Sequence, residues 1–169
     1  MERSCDSCSA CCKIPKIETP EFSKPLGQWC THCKPGAGCT IYETRPQVCR
    51  DYRCAWLGAD ILPDAFRPDR LKVMFSFEPS PLKERAGKLC AVGRPLSGLG
   101  DFERPAVRDA IVTLIRAGFD VHLAWDTTKV RVVPHFDARG RLAALDMPDH
   151  ARKAMRRTPL GPMRPGHPV

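Results

Sequence analysis

The alternation of apolar and polar positions divides the chain into two unlike parts. From residue 71 onward it is regular. Residues 71–77 alternate apolar with variable side chains and predict a strand, stopped by Pro79 and Pro81. Residues 88–93 predict a second strand, with Cys90 inside it as a buried core residue. Val107, Ile111, Leu114 and Ile115 recur at helical spacing between Pro105 and Ala117, and Gly118 supplies the stop. Residues 121–125 and 129–133 predict a strand pair joined through Asp126, Thr127 and Thr128, and residues 141–145 a further short strand after the turn at 137–140.

Upstream of residue 71 no such period exists. Pro15, Pro20, Pro25 and Gly27 make residues 14–29 an extended connector, and Pro63 and Pro68 make residues 58–70 a loop. One helix start is legible: Thr44 as N-cap, Pro46 in the first turn and Gln47 completing a capping box, with the helix running to about Cys54. The expected fold class is therefore α+β: a cysteine-rich, metal-stabilised N-terminal module (residues 1–57) packed on a small, mostly antiparallel sheet with one longer helix (residues 58–148). A basic, Pro-rich, disordered tail (residues 149–169) completes the division.

Composition changes the picture at one place. Nine of the ten cysteines, Cys5, Cys8, Cys11, Cys12, Cys30, Cys33, Cys39, Cys49 and Cys54, fall in the first third of the chain. Such a density has two common causes, a disulfide framework or metal coordination. The N-terminus has no apolar signal region and no run of bilayer-spanning length, which predicts a cytoplasmic protein without a membrane partner. In that compartment thiols stay reduced, and clustered cysteines point to metal.

The net charge of +8 counts the thiols as neutral. A four-thiolate zinc site carries about −2, so two such sites offset about half of the excess. Much of the rest lies in the tail at Arg152, Lys153, Arg156 and Arg157. The basic balance thus argues only weakly for nucleic acid, and a solvated tail is the simpler reading.

The spacing of the thiols carries the chemistry. On a helix, Cys5, Cys8, Cys11 and Cys12 span an arc of roughly 120°, so one face or one tight loop presents several sulfurs to one centre. C-x2-C-x2-C also occurs where three thiolates hold an iron–sulfur cluster and a fourth arrives from elsewhere. Cys30 and Cys33 form a zinc-ribbon-like pair, and the turn at 34–38 delivers Cys39. His32, between them, is a candidate nitrogen ligand, though with so many thiols it reads better as a donor behind them or as an exposed side chain. Tyr42, Arg45, Arg50 and Arg53 crowd the stretch around Cys49. Cations and hydroxyls near thiolates lower their pKa and tune a metal centre, and the alternative is a solvated helix face.

C-x2-C-x2-C-C followed by G-C-x-I-Y-x-x-R-P-x-x-C-R-x-Y-x-C resembles the CxxCxxCC cysteine-cluster proteins, also called the YkgJ-like or zinc- or iron-chelating family. Cys5, Cys8, Cys11, Cys12, Cys30, Gly38, Cys39, Ile41, Tyr42, Arg45, Pro46, Cys49, Arg50, Tyr52 and Cys54 carry the resemblance, over the first third of the chain. Cys33 departs from it, standing where many members have an apolar residue. The resemblance implies a bacterial cytoplasmic protein whose cysteines bind an iron–sulfur cluster or zinc. A domain of this type also occurs in flagellin lysine methylases.

No phosphate-binding glycine loop, G-x-G-x-x-G or G-x-S-x-G elbow is present, and His122 and His135 lack a motif partner and read as structural. Three function classes follow. The first is a metal-binding protein with an electron-transfer, metal-handling or sensing role and a redox or protein partner still to be identified. The second is a metal-dependent protein-modifying enzyme. The third is a zinc-folded interaction module with a basic tail.

Overall fold

The computed structural model describes residues 3–5, 7–139 and 142–146, so the tail expected at 149–169 lies outside the described residues. The first elements are short. Helix α1 (Ala10–Lys13) is followed by two antiparallel hairpins, β1 (Ile17–Glu18) with β2 (Ser23–Lys24), and β3 (Cys33–Lys34) with β4 (Gly38–Cys39). Helices α2 (Gln47–Asp51), α3 (Ala55–Gly58) and α4 (Pro68–Leu71) come next. Strands β5 (Val73–Pro79) and β6 (Leu89–Pro95), helix α5 (Pro105–Arg116), and strands β7 (Val121–Trp125), β8 (Thr128–Phe136) and β9 (Leu142–Asp146) complete the order.

The last five strands form one sheet in chain order, β5-β6-β7-β8-β9. Three of its pairings are antiparallel, but β6 and β7 run parallel, so the sheet is mixed. The parallel pair exists because the chain returns through α5, a crossover that a tight turn cannot make. Between β7 and β8 the predicted turn is tighter than expected: Trp125 pairs with Thr128, and Asp126 takes a left-handed φ of 46°.

Period two and period 3.6 meet in the core. Val73 and Phe75 of β5, Val121 and Leu123 of β7, and Val130 and Val132 of β8 join Val107, Ala110, Ile111 and Leu114 of α5 in one buried cluster. Gly93 on β6 is dictated by that packing, because a Cβ there would lie 2.7 Å from Phe75 Cε1 and 3.2 Å from Leu123 Cδ2. The same cluster takes in Ala10, Ile14, Cys54, Ala55 and Trp56, so the cysteine-rich segment is packed into the sheet's core.

On the other side chains of the sheet, Ser76, Glu78, Arg94 and Lys129 form a polar network. Glu78 pairs with Arg94 and accepts from Lys129 Nζ at 2.9 Å and from Ser76 Oγ at 2.9 Å. Burial alone would raise the Glu78 carboxyl, but these donors hold it down to about 2. Cys90 lies in a smaller buried cluster with Val92 and Ala124, as a core residue.

Three expectations for the proline-rich part are corrected. Residues 14–29 are not simply extended: they make the β1–β2 hairpin, with Ile17 opposite Lys24. Residues 58–70 are not simply a loop. They contain a 3-10 turn at Asp64–Phe66 and α4, whose Pro68 stands where a missing amide hydrogen costs nothing and whose end is set by Lys72 at a left-handed φ of 66°. The helix expected from Thr44 to Cys54 begins only at Gln47, with Pro46 before it and Thr44 closing a separate 3-10 turn. The capping box does not form, because Gln47 Nε2 donates instead to Asp51 Oδ1 at 2.7 Å. Cys54 belongs to the start of α3 rather than the end of α2.

Candidate metal centre

Backbone hydrogen bonds bring the cysteine-bearing segments together. The Cys8 amide donates to the Cys5 carbonyl at 2.7 Å, closing a turn, and the chain then enters α1 with Cys11 and Cys12 side by side. The Cys30 amide donates to the Cys12 carbonyl at 2.8 Å, which lays the second cysteine segment against the first. The Cys33 amide returns to the Cys30 carbonyl at 3.0 Å, and the β3–β4 pairing sets Cys33 opposite Cys39. The turn expected to deliver Cys39 is the Pro35–Ala37 bend between those strands, with Gly36 at a left-handed φ of 79°.

All ten cysteines are free thiols. Two groups emerge. Cys5, Cys8, Cys11 and Cys54 line a single small cavity of about 20 Å³, walled on its other sides by Tyr52, Trp56, Leu57, Pro68 and Met74. Cys12, Cys30, Cys33, Cys39 and Cys49 lie beyond it, joined by a hydrogen bond between the Cys12 and Cys33 side chains and by the mutual fields of Cys30, Cys39 and Cys49. Cys11 stands between the groups, hydrogen-bonded to Cys12 and close enough to Cys5, Cys8 and Cys49 to act on each of them.

Burial pushes the Cys5, Cys8, Cys33 and Cys49 thiols up from their ordinary range, and the neighbouring sulfurs add to the shift. Cys11 is pushed up furthest, first by its hydrogen bond to Cys12 and then by burial. Cys54 rises to about 11 through burial, partly offset by a hydrogen bond from the Leu57 amide. The Ala10 and Asp69 amides pull back in the same way on Cys8, and the His32 amide points at Cys30 Sγ from 3.4 Å. Amide hydrogens aimed at sulfur are the donors that surround thiolate ligands.

Among the described residues, no three or more Cys, His, Asp or Glu side chains converge into a ready-made coordination shell. The donor set nonetheless suits a thiophilic metal: four sulfurs line one apolar cavity, with three from one short segment and the fourth from α3. Trp56, which lines the same cavity, has a buried indole N–H without a hydrogen-bond partner, a donor that sulfur can accept from.

The other expected residues are placed as follows. Arg45 stacks its guanidinium over the Tyr42 ring at 3.8 Å, and its charge lowers Cys5, Cys11 and Cys49. Arg50 donates to the Arg45 carbonyl at 2.9 Å and the Glu43 carbonyl at 2.6 Å, fixing the backbone that presents Tyr42 and Arg45. The His32 side chain is exposed, tilted beside Phe22 with ring centres 6.3 Å apart. His122 is buried with Nε2 unpartnered, and His135 lies 3.8 Å from Asp146. None of the three is brought to the thiols.

Two contributors were not legible in advance. Met74 reaches the cavity from β5, where Tyr52 Oη lies 3.7 Å from its sulfur. Lys24 is buried beside the second group, and only its place opposite Ile17 in a hairpin marks it out. Compared with profiles of known protein families, with curated proteins and with solved structures, the chain finds no match in any of the three. No helix among the described residues is long and apolar enough to cross a membrane.

Proposed function

We propose that this chain is a metal-binding cysteine-cluster protein with an electron-transfer, metal-handling or sensing role, in keeping with its resemblance to the CxxCxxCC proteins. One observation carries the reading: the cavity lined by Cys5, Cys8 and Cys11 together with the distant Cys54. Three thiolates at C-x2-C-x2-C spacing plus a fourth from elsewhere in the chain is an iron–sulfur ligand pattern, and an iron–sulfur cluster is the group we assign there. Bound, it would supply one-electron chemistry. The chain's part is to hold the sulfurs, to shield them with Tyr52, Trp56 and Met74, and to aim the Ala10, Asp69 and Leu57 amides at them.

A second reading has its own support. The cavity as it stands, about 20 Å³, admits a body the size of one water or one ion, which favours a single zinc over a multi-iron cluster. Under that reading the metal is structural, closing segments that hold few hydrogen bonds of their own.

Anaerobic purification followed by a visible spectrum and by iron, sulfide and zinc analysis on one sample tests both. A brown chromophore with iron and sulfide is the expected result, and it should disappear in Cys54→Ser. Stoichiometric zinc in a colourless protein transfers the assignment to the second reading. A metal-free protein with ten titratable thiols overturns both.

A further inference from the structure

Lys24 is 3% exposed, an unusual place for an ammonium group. Its three protons are all used: Nζ donates to the carbonyls of Lys13 at 2.8 Å, Pro25 at 3.0 Å and Gln28 at 3.0 Å. These acceptors are not arbitrary. Lys13 ends α1, directly after Cys11 and Cys12, and Gln28 stands two residues before Cys30. The ammonium therefore ties together the two backbone segments that carry those thiols, alongside the Cys30-to-Cys12 amide bond of 2.8 Å.

The three carbonyls satisfy the ammonium's three protons, which no neutral side chain could do from one nitrogen, but they do not cancel the charge that is buried with it. The charge has a counterpart nearby. Burial is the largest influence on the Lys24 ammonium and pushes its pKa down, while Cys30, Cys12, Cys11 and Cys49 act in the opposite sense when ionised, and of these Cys11 lines the cavity. A buried cation of this kind is costly beside neutral thiols and favourable beside thiolates, and thiolates are what a bound metal creates.

We infer that Lys24 is the internal countercharge of the metal-loaded thiolate cluster, a positioning residue whose ammonium offsets the net negative charge of thiolate-bound metal. The inference rests on the thiolate–metal reading above and holds for either metal, since zinc or iron–sulfur bound by four thiolates leaves a net negative centre. It also gives the β1–β2 hairpin a purpose, namely to carry one lysine to the inside of the cysteine segment.

Zinc-loaded protein titrated with a chromophoric chelator provides the test, with Lys24→Met and Lys24→Gln as variants. Lys24→Met removes both charge and hydrogen bonds, whereas Lys24→Gln removes the charge but keeps two of the three donors on a side chain one atom shorter. Both are expected to release zinc at about tenfold lower chelator concentration or less, the scale of one charge a few ångströms from the site. Amide exchange in the β5–β8 sheet should be unchanged in both, which reports that the fold survives. Wild-type affinity in Lys24→Gln, with a loss only in Lys24→Met, would make Lys24 a hydrogen-bonding staple and overturn the inference. Wild-type affinity in both variants overturns it as well. Failure of the wild-type protein itself to retain zinc or iron removes the thiolate–metal reading, a separate and recognisable result.

Discussion

The two halves of this chain are held together by different means. In the sheet half, strands run five to nine residues and α5 twelve, and the interior is aliphatic and aromatic. In the cysteine half, strands are two residues long, helices four or five, and eight of the nine thiols are only partly buried. A two-residue strand pair or a single helical turn does not recover the backbone entropy it fixes. The sheet half can stand on burial. The cysteine half needs either its anchors in the sheet's core, chiefly Trp56, Ala55 and Ile14, or a cross-link among its sulfurs.

The largest effect that would break this contrast is on the sheet side. Leu114 is fully buried in the last turn of α5, and Leu114→Ala leaves a cavity that costs about 3 kcal/mol. Urea unfolding should show that loss as a lower midpoint. If the halves differ as argued, metal content per folded molecule should be unchanged in the variant. A parallel loss of metal would show that the thiols depend on the sheet as fully as the sheet depends on α5.

The same contrast explains what could be read from the sequence. The five strands of the sheet and α5 are visible in it, because Val107, Ile111 and Leu114 or Val121 and Leu123 encode their own period, whereas α4 is not. The parallel β6–β7 pairing was not visible, since strand order depends on where α5 packs rather than on any local signal. In the cysteine half, the thiols themselves and the turn that delivers Cys39 were legible. Thr44 and Gln47 misled, because Gln47 had a better partner in Asp51 than the reciprocal cap. The grouping of Cys54 with Cys5, Cys8 and Cys11 is a tertiary fact that no spacing carries, and so is the arrival of Met74.

A smaller effect sharpens the comparison by pH. Glu78, its carboxyl held down to about 2 against an ordinary 4.5, lies in the sheet's ion network, opposite Cys90 in the β5–β6 pairing. A depressed carboxyl contributes stability that is complete above about pH 4.5 and is lost as pH falls through about 2. The side chain is 28% exposed, so solvent screening reduces the contribution to about 1–2 kcal/mol. Glu78→Gln should lose that much at pH 7 and converge with the wild type below pH 2, as followed by thermal melting across pH. A constant difference at every pH would mean that Arg94 and Lys129 are held by shape and not by charge.

The smallest effect bears on the joint between the halves. Arg3 donates to the carbonyls of Trp56 and Ala59, the latter at 2.9 Å, and stacks over the Trp56 ring at 5.2 Å. These carbonyls are at the end of α3, where no helical amide reaches them, so the guanidinium acts as a cap in trans. Its second consequence is positional: Arg3 precedes Cys5 by two residues, and α3 follows directly on Cys54. The cap therefore holds the first thiol segment against the fourth wall of the cavity. Arg3→Ala should cost only about 1 kcal/mol of global stability, the scale of a few part-buried hydrogen bonds. It should nevertheless speed alkylation of Cys5 in the metal-free protein, while Cys30 and Cys39, fixed by the β3–β4 hairpin and the Cys12 carbonyl, react as before. Arg3→Lys, which keeps the charge but loses the planar fork, should fall between. Unchanged Cys5 reactivity in Arg3→Ala would mean that the turn between Cys5 and Cys8 sets the thiol position by itself, and the cysteine half would then owe less to its anchors and more to its sulfurs.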